Sequence, residues 1–348
     1  MRNLATACVL LTLSASALAA STPKYEFVIL SSNDWYATAI ASNGTVLLSQ
    51  SNWNDSRPIV TDGVQQTMLG TLGGRTSYGY DINSSHTVVG GSRDSNDQVR
   101  AFIWKDNVMT AIGGAGSTAI GINDAGTVIG TYVAGYRLER GFVYTEAGGM
   151  VDIGMPGLRP STVKAIHDDG RILGQAEDAT GTWNNFVYEN GAMTFLGAGM
   201  TLTGFAPDGG YYGYRPKPNL GTSDAIVFRD GVVETPYHLG SITAMNASGL
   251  ALGTDFDTNN IGQLGLPDGS AYSIEQLVDD PDNLTWSSLL DINDAGQISG
   301  TGCILGGGCY AIRLDPLAAV PEPTTWAMLA AGLAFVGWTA RPRRSWLA

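Results

Sequence analysis

An all-β, seven-bladed propeller-like repeat domain closed by an N-terminal strand is the fold class this sequence predicts. Three observations lead there. A nine-residue signature recurs seven times, 46 of 348 residues are glycine, and only 15% are charged. Spacing near 42 residues belongs to propeller blades, and abundant glycine with little charge belongs to short strands and tight turns.

The clearest copies of the signature are residues 122–130 (INDAGTVIG) and 292–300 (INDAGQISG). Weaker ones are 82–90 (INSSHTVVG), 166–174 (IHDDGRILG), 205–213 (FAPDGGYYG) and 245–253 (MNASGLALG), with a degenerate first copy at 40–48 (IASNGTVLL). An apolar residue, Asn-Asp-x-Gly and then alternating apolar residues describe a hairpin whose glycine needs positive φ. His86 takes that glycine position in the second copy, which predicts a strained or differently built turn there.

A third strand follows each signature, as at 101–104 (AFIW), 141–144 (GFVY), 185–188 (NFVY) and 225–228 (AIVF). A fourth follows a short turn, as at 149–154 and 191–197, and four such strands fill one blade. The seventh unit has its third strand at 310–314 and then no fourth, whereas residues 25–30 (YEFVIL) have a fourth-strand pattern and no blade of their own. Residues 25–30 are therefore expected to complete the last blade and close the ring, which removes exposed sheet edges.

The chain ends read differently. Residues 1–20 carry Arg2, an apolar stretch and small residues at Ala17, Ala19 and Ala20, a signal peptide cut after Ala19 or Ala20. The repeat domain then spans 21–316 and a tail spans 317–348. The tail holds Val320, Pro321, Glu322 and Pro323, an apolar run over about 324–340, and Arg341, Arg343 and Arg344. As a transmembrane helix that run is about 25 Å long, just short of a typical hydrocarbon core of about 30 Å, with its arginines on the cytoplasmic side. This arrangement resembles the PEP-CTERM sorting signal. The resemblance implies secretion machinery and an exosortase as partners, passage through the inner membrane, and delivery to the cell surface of exopolysaccharide-producing, biofilm-forming bacteria.

The middle of the chain resembles HAF-type extracellular repeats at Ala101-Phe102-Ile103-Trp104, at residues 69–74 (LGTLGG) and at Ile122-Asn123-Asp124-Ala125-Gly126. That resemblance implies a surface repeat domain and supplies no catalytic residue. Cys303 and Cys309 remain once Cys8 leaves with the signal, and an even pair in an oxidising compartment predicts a disulfide. The terminal segments hold four arginines and Glu322, so the middle has 15 basic against 31 acidic residues. Such a surface repels phosphate backbones and excludes nucleic acid as a partner.

No catalytic constellation emerges from the residue pattern, and no cofactor is implied. His86, His167 and His238 each fall inside the repeat grammar. Residues 114–119 (GAGSTA) match a dinucleotide fingerprint but lead into a hairpin, which offers no helix N-terminus to a pyrophosphate. Asp255, Asp257 and Asn259 have the spacing that begins a calcium loop, but Leu266 stands at the twelfth position. The expected ligand face carries the loops after second strands (Trp53, Tyr136, Trp183, Tyr214) and those between blades (Trp35, Tyr78, Trp286). Rings on one rim suit sugar stacking, so a non-enzymatic protein that binds exopolysaccharide or self-associates is expected. The alternative is a secreted polysaccharide hydrolase or lyase, which paired carboxylates near the tunnel would favour.

Overall fold

The computed structural model describes residues 23–317, apart from 32–33, 51–54, 136–137, 155–158, 256–259, 279–283 and 305–306. These residues form seven four-stranded antiparallel sheets, each built from consecutive strands except the last. The first strand of each blade lies innermost: Trp35–Ile40, Gly73–Ile82, Ser117–Ile122, Ser161–Ile166, Thr201–Phe205, Ser241–Met245 and Leu284–Ile292. Each touches its neighbours in the adjacent blades, so the seven close a ring around a central tunnel. One short helix, Ile274–Leu277, follows the outermost strand of blade 6.

Blade 7 is completed as the sequence predicts. Tyr25–Ile29 pairs antiparallel with Cys309–Pro316, from Tyr25 opposite Pro316 to Ile29 opposite Ile312. The N–H of Leu30 donates to the Ala311 carbonyl at 2.9 Å, and the N–H of Leu317 donates to that of Lys24 at 2.8 Å. The first and last strands of the domain are thus one hydrogen-bonded ladder.

The repeat signature has a physical account. In the third copy Gly126 adopts φ 81°, its N–H donates to the Asn123 carbonyl, and the Asn123 N–H donates to Thr127. The same two bonds and a positive φ recur in all seven hairpins, with His86 at φ 59° standing in for glycine. Between third and fourth strands, Asn190-Gly191 and Asp230-Gly231 both have positive φ, the two-residue turn whose twist matches the strands it joins.

The closing glycine of the signature serves packing. Gly130 lies opposite Phe142 in register, and a Cβ there would stand 2.5 Å from the Phe142 ring. Gly90 and Phe102, and Gly174 and Phe186, repeat the pair, and all three rings are fully buried. Each innermost strand also carries a β-bulge at the same repeat position, for example between Gly79 and Asp81. A bulge re-aims the residues around it, here beside the tunnel.

The expected signal segment and the expected membrane-crossing helix lie outside the described residues. Among the described residues no helix is long and apolar enough to cross a membrane.

Candidate functional site

The first-to-second-strand hairpins of blades 1 to 5 and 7 line one mouth of the tunnel, a cavity of 320 Å³ whose walls include Ile82, Asn123, His167, Phe205 and Tyr212. Asparagines lace the blades together there. Asn83 Nδ2 donates to the Asn123 carbonyl at 3.1 Å, and Asn123 Nδ2 to the His167 carbonyl at 3.2 Å. Asn246 Nδ2 donates to the Asn293 carbonyl at 3.1 Å, and Asn293 Nδ2 to the Ala41 carbonyl at 3.0 Å. The following acids add a second stitch: the N–H of Ser84 donates to Asp124, that of Asp124 to Asp168, and that of Ala247 to Asp294. The lace stops at blades 1, 4 and 5, where Ala41, His167 and Ala206 occupy the Asn position.

Two carboxylates stand immediately before the mouth-lining isoleucines. Asp81 accepts the N–H of Ile82 at 2.8 Å and that of Ile122, in the next blade, at 2.8 Å. Asp291 does the same with Ile292 at 2.9 Å and Ile40 at 3.0 Å. Both are half-buried, and the other blades hold Ala or Gly at this position. Burial, with a contribution from the Asp291 charge, pushes Asp81 up to about 7, and burial pushes Asp291 up to about 6.

Those values set the direction of a pH effect. Both exceed the ordinary 3.8, so between about pH 4 and 7 the folded protein holds protons that the unfolded chain releases. The resulting stability is present at pH 4 and below and is lost as pH rises through 6 and 7. Because both side chains are only half-buried, solvent screening limits the sum to about 1–2 kcal/mol. Carboxyls held low, such as Asp178 at about 2, act only below this window. The domain is expected to melt higher at pH 5 than at pH 8, and Asp81→Asn with Asp291→Asn to flatten that slope. An unchanged slope in the double variant would remove the two carboxylates from the explanation.

The expected ligand face is partly in view. Trp183 is 43% exposed at the start of the third strand of blade 4, and Tyr214 is half-buried. Trp35 is half-buried against a core of Leu30, Ala37 and Ile40. Tyr78 lines a 250 Å³ cleft with Tyr80, Arg93 and Thr118 between blades 2 and 3. Tyr36 lies near Tyr78 and Tyr80, and burial and both neighbours raise its phenol above the ordinary value. Trp35, Tyr78, Tyr214 and Trp286 stand within strands and not in the loops expected to carry them, and Tyr36 and Tyr80 share the strands of Trp35 and Tyr78. Trp53 and Tyr136 lie outside the described residues, as do Asp257 and Asn259 of the calcium spacing; Trp286 is placed by its backbone alone, opposite Cys303. Cys303 and Cys309 are joined by a disulfide between the second and third strands of blade 7. Among the described residues no group of three or more His, Cys, Asp or Glu side chains gathers to hold a metal.

A second cleft, of 460 Å³, opens on the hairpin face between blades 4 and 5. Phe195 and Leu196 form one wall, and the two hairpins of blade 5, with Tyr211, Phe228 and Arg229, form the other. Arg229 pairs with both Asp208 and Glu234, which holds the Asp208 carboxyl below the ordinary range.

The PEP-CTERM protein-sorting motif matches residues 319–344. No curated protein matches the chain. Among solved structures, the β-propeller domain of the trilobed protease from Pyrococcus furiosus aligns with TM-score 0.55 and 9% identity, over 83% of this chain and 99% of that one. A puromycin-hydrolyzing peptidase from Mycobacterium tuberculosis aligns with TM-score 0.51 and 14% identity, over 87% of this chain and 57% of its own. TolB from Acinetobacter baumannii aligns with TM-score 0.44 and 12% identity, over 58% of this chain and 53% of its own. The chain thus spans little more than half of the last two proteins, and at these identities the likeness shows the fold alone. The sorting motif marks an exported protein, processed by an exosortase on its way to the cell surface, whose described residues form a seven-bladed propeller.

Proposed function

We propose that this chain is a non-enzymatic surface or matrix protein that binds exopolysaccharide through a propeller face. The observation that carries the reading is the display of aromatic rings in clefts between blades of one rigid ring, on a chain that bears a cell-surface sorting motif. Amphipathic rings fixed on a scaffold suit sugars, which offer apolar C–H faces and hydroxyl edges. The resemblance to HAF-type extracellular repeats agrees with a surface role. Full-length protein is expected to be retained on the organism's own purified polysaccharide, and absence of retention would end the reading.

Glycan cleavage is a second reading, favoured by one observation. Asp81 and Asp291 stand close enough beside the tunnel for one charge to raise the other, as acid and base carboxyls do. Against it, all four of their oxygens already accept backbone N–H groups. Release of reducing ends from the same polysaccharide, lost in Asp81→Asn, would establish cleavage.

A further inference from the structure

We propose that the cleft between blades 4 and 5 on the hairpin face is a subsite for an uncharged saccharide. Its accessible rings are Phe195 and Tyr211, and its hydroxyl acceptor is the exposed Asp230. The proposal rests on the glycan-binding reading and places the ligand on the face opposite the loops that the sequence singles out.

The cleft lies where the structural lace fails. His167 and Ala206 replace asparagine in the hairpins of blades 4 and 5, so no side-chain amide stitches blade 4 to 5 or blade 5 to 6 at the mouth. Rings stand there instead. His167 lies 5.2 Å from Phe205, Phe205 lies 5.6 Å from Tyr211, and Tyr211 lies 6.4 Å from Phe228, centroid to centroid. The Arg171 guanidinium sits 5.2 Å over Phe205. This file begins at the tunnel mouth, where His167 and Phe205 line the cavity, and ends in the 460 Å³ cleft, where Tyr211 and Phe228 line the wall. Facing them across the cleft, Phe195 is 41% exposed. Tyr211 is half-buried and Phe228 is buried at 8% exposure, so Phe195 and Tyr211 are the rings of this cleft that a sugar can reach.

Charge decides which polymer. Arg171 is paired with Asp169, and Arg229 with Asp208 and Glu234. With Asp168 and Asp230 the acids outnumber the cations, so a uronate or phosphate-bearing chain is repelled. A purely apolar ligand is disfavoured too, because it would strip water from these carboxylates without replacing it. A neutral sugar satisfies both demands, stacking its C–H face on a ring and donating hydroxyls to the acids.

Titration calorimetry of the full-length protein with cellohexaose, xylohexaose, maltohexaose and a hexauronate tests this. At least one neutral hexaose is expected to bind and the hexauronate is not. Phe195→Ala, at an exposed position, is expected to weaken that binding at least tenfold with an unchanged melting temperature. Tyr211→Ala is expected to weaken it as much while also lowering the melting temperature, because this ring packs on the core of Leu173, Leu202, Ile226 and Phe228. Tyr211→Phe is expected to restore most of both. Neutral-sugar binding that survives both alanine variants, or preference for the hexauronate, would overturn the subsite. So would failure of all four probes. Retention of the wild type on the native polysaccharide separates the two ideas: retention without cleft dependence sinks this site alone, whereas no retention sinks the glycan-binding reading with it.

Discussion

Removing residues 21–30 is expected to leave a chain that no longer accumulates as a folded monomer. Two side chains of that segment, Tyr25 and Leu30, are each 4% exposed. Tyr25 packs with Leu277, Val278, Ile312 and Leu314 at the junction of blades 6 and 7, and Leu30 packs with the core of blade 1. Burial of such groups contributes about 1.5–3 kcal/mol each, before the loss of the ladder along Cys309–Pro316 is counted. The sum approaches the whole net stability of an ordinary domain, about 5–15 kcal/mol. Deletion also bares a sheet edge that invites intermolecular pairing. Circular dichroism melting and size exclusion give the readout, and a truncated protein that melts as the intact one does would refute closure by this strand.

Cutting the lace is the second large effect. Asn123 is 4% exposed; its Oδ1 accepts the Thr127 N–H at 2.9 Å while its Nδ2 donates to the His167 carbonyl. Asn123→Ala leaves a donor in its own turn and an acceptor in the next blade without partners, at about 2–4 kcal/mol in all. Asn293→Ala is expected to cost as much, since it closes its own turn through Gln297 and reaches blade 1 at Ala41. Asn123→Asp keeps the acceptor but sets a buried carboxylate oxygen against the His167 carbonyl, so a loss at least as large as that of Asn123→Ala is expected. Urea denaturation measures all three, and a loss below about 0.5 kcal/mol for Asn123→Ala would make the stitch ornamental.

The lace also shows what the sequence concealed. Blade number, strand order and ring closure were legible because Asn, Gly and Phe recur at fixed offsets, and because one blade lacked a strand that the N-terminus had to spare. The same asparagines, read one unit at a time, explain only their own turns. Their Nδ2 groups act between blades, a relation that appears only once the ring is closed. Asp81 and Asp291 were missed for a related reason: the bulge that sets them beside the tunnel leaves no mark on apolar alternation, and five blades hold Ala or Gly there. The blade 4–5 cleft draws its lining from three separate stretches, 195–196, 208–211 and 228–231. No window along the chain holds all three.

Ring closure has a consequence for the order of events in the chain's life. The strand made first, Tyr25–Ile29, pairs with the strand made last, Cys309–Pro316, across nearly the whole length of the domain. A contact of that separation is the costliest loop to close, and it cannot form until blade 7 exists. An exported chain threaded unfolded and N-terminus first would therefore stay unsealed throughout transit. Only when Cys309–Pro316 has followed does the ring lock, and the matched sorting segment begins three residues later, at 319. Topology alone makes closure of the ring depend on both ends of the domain being present together.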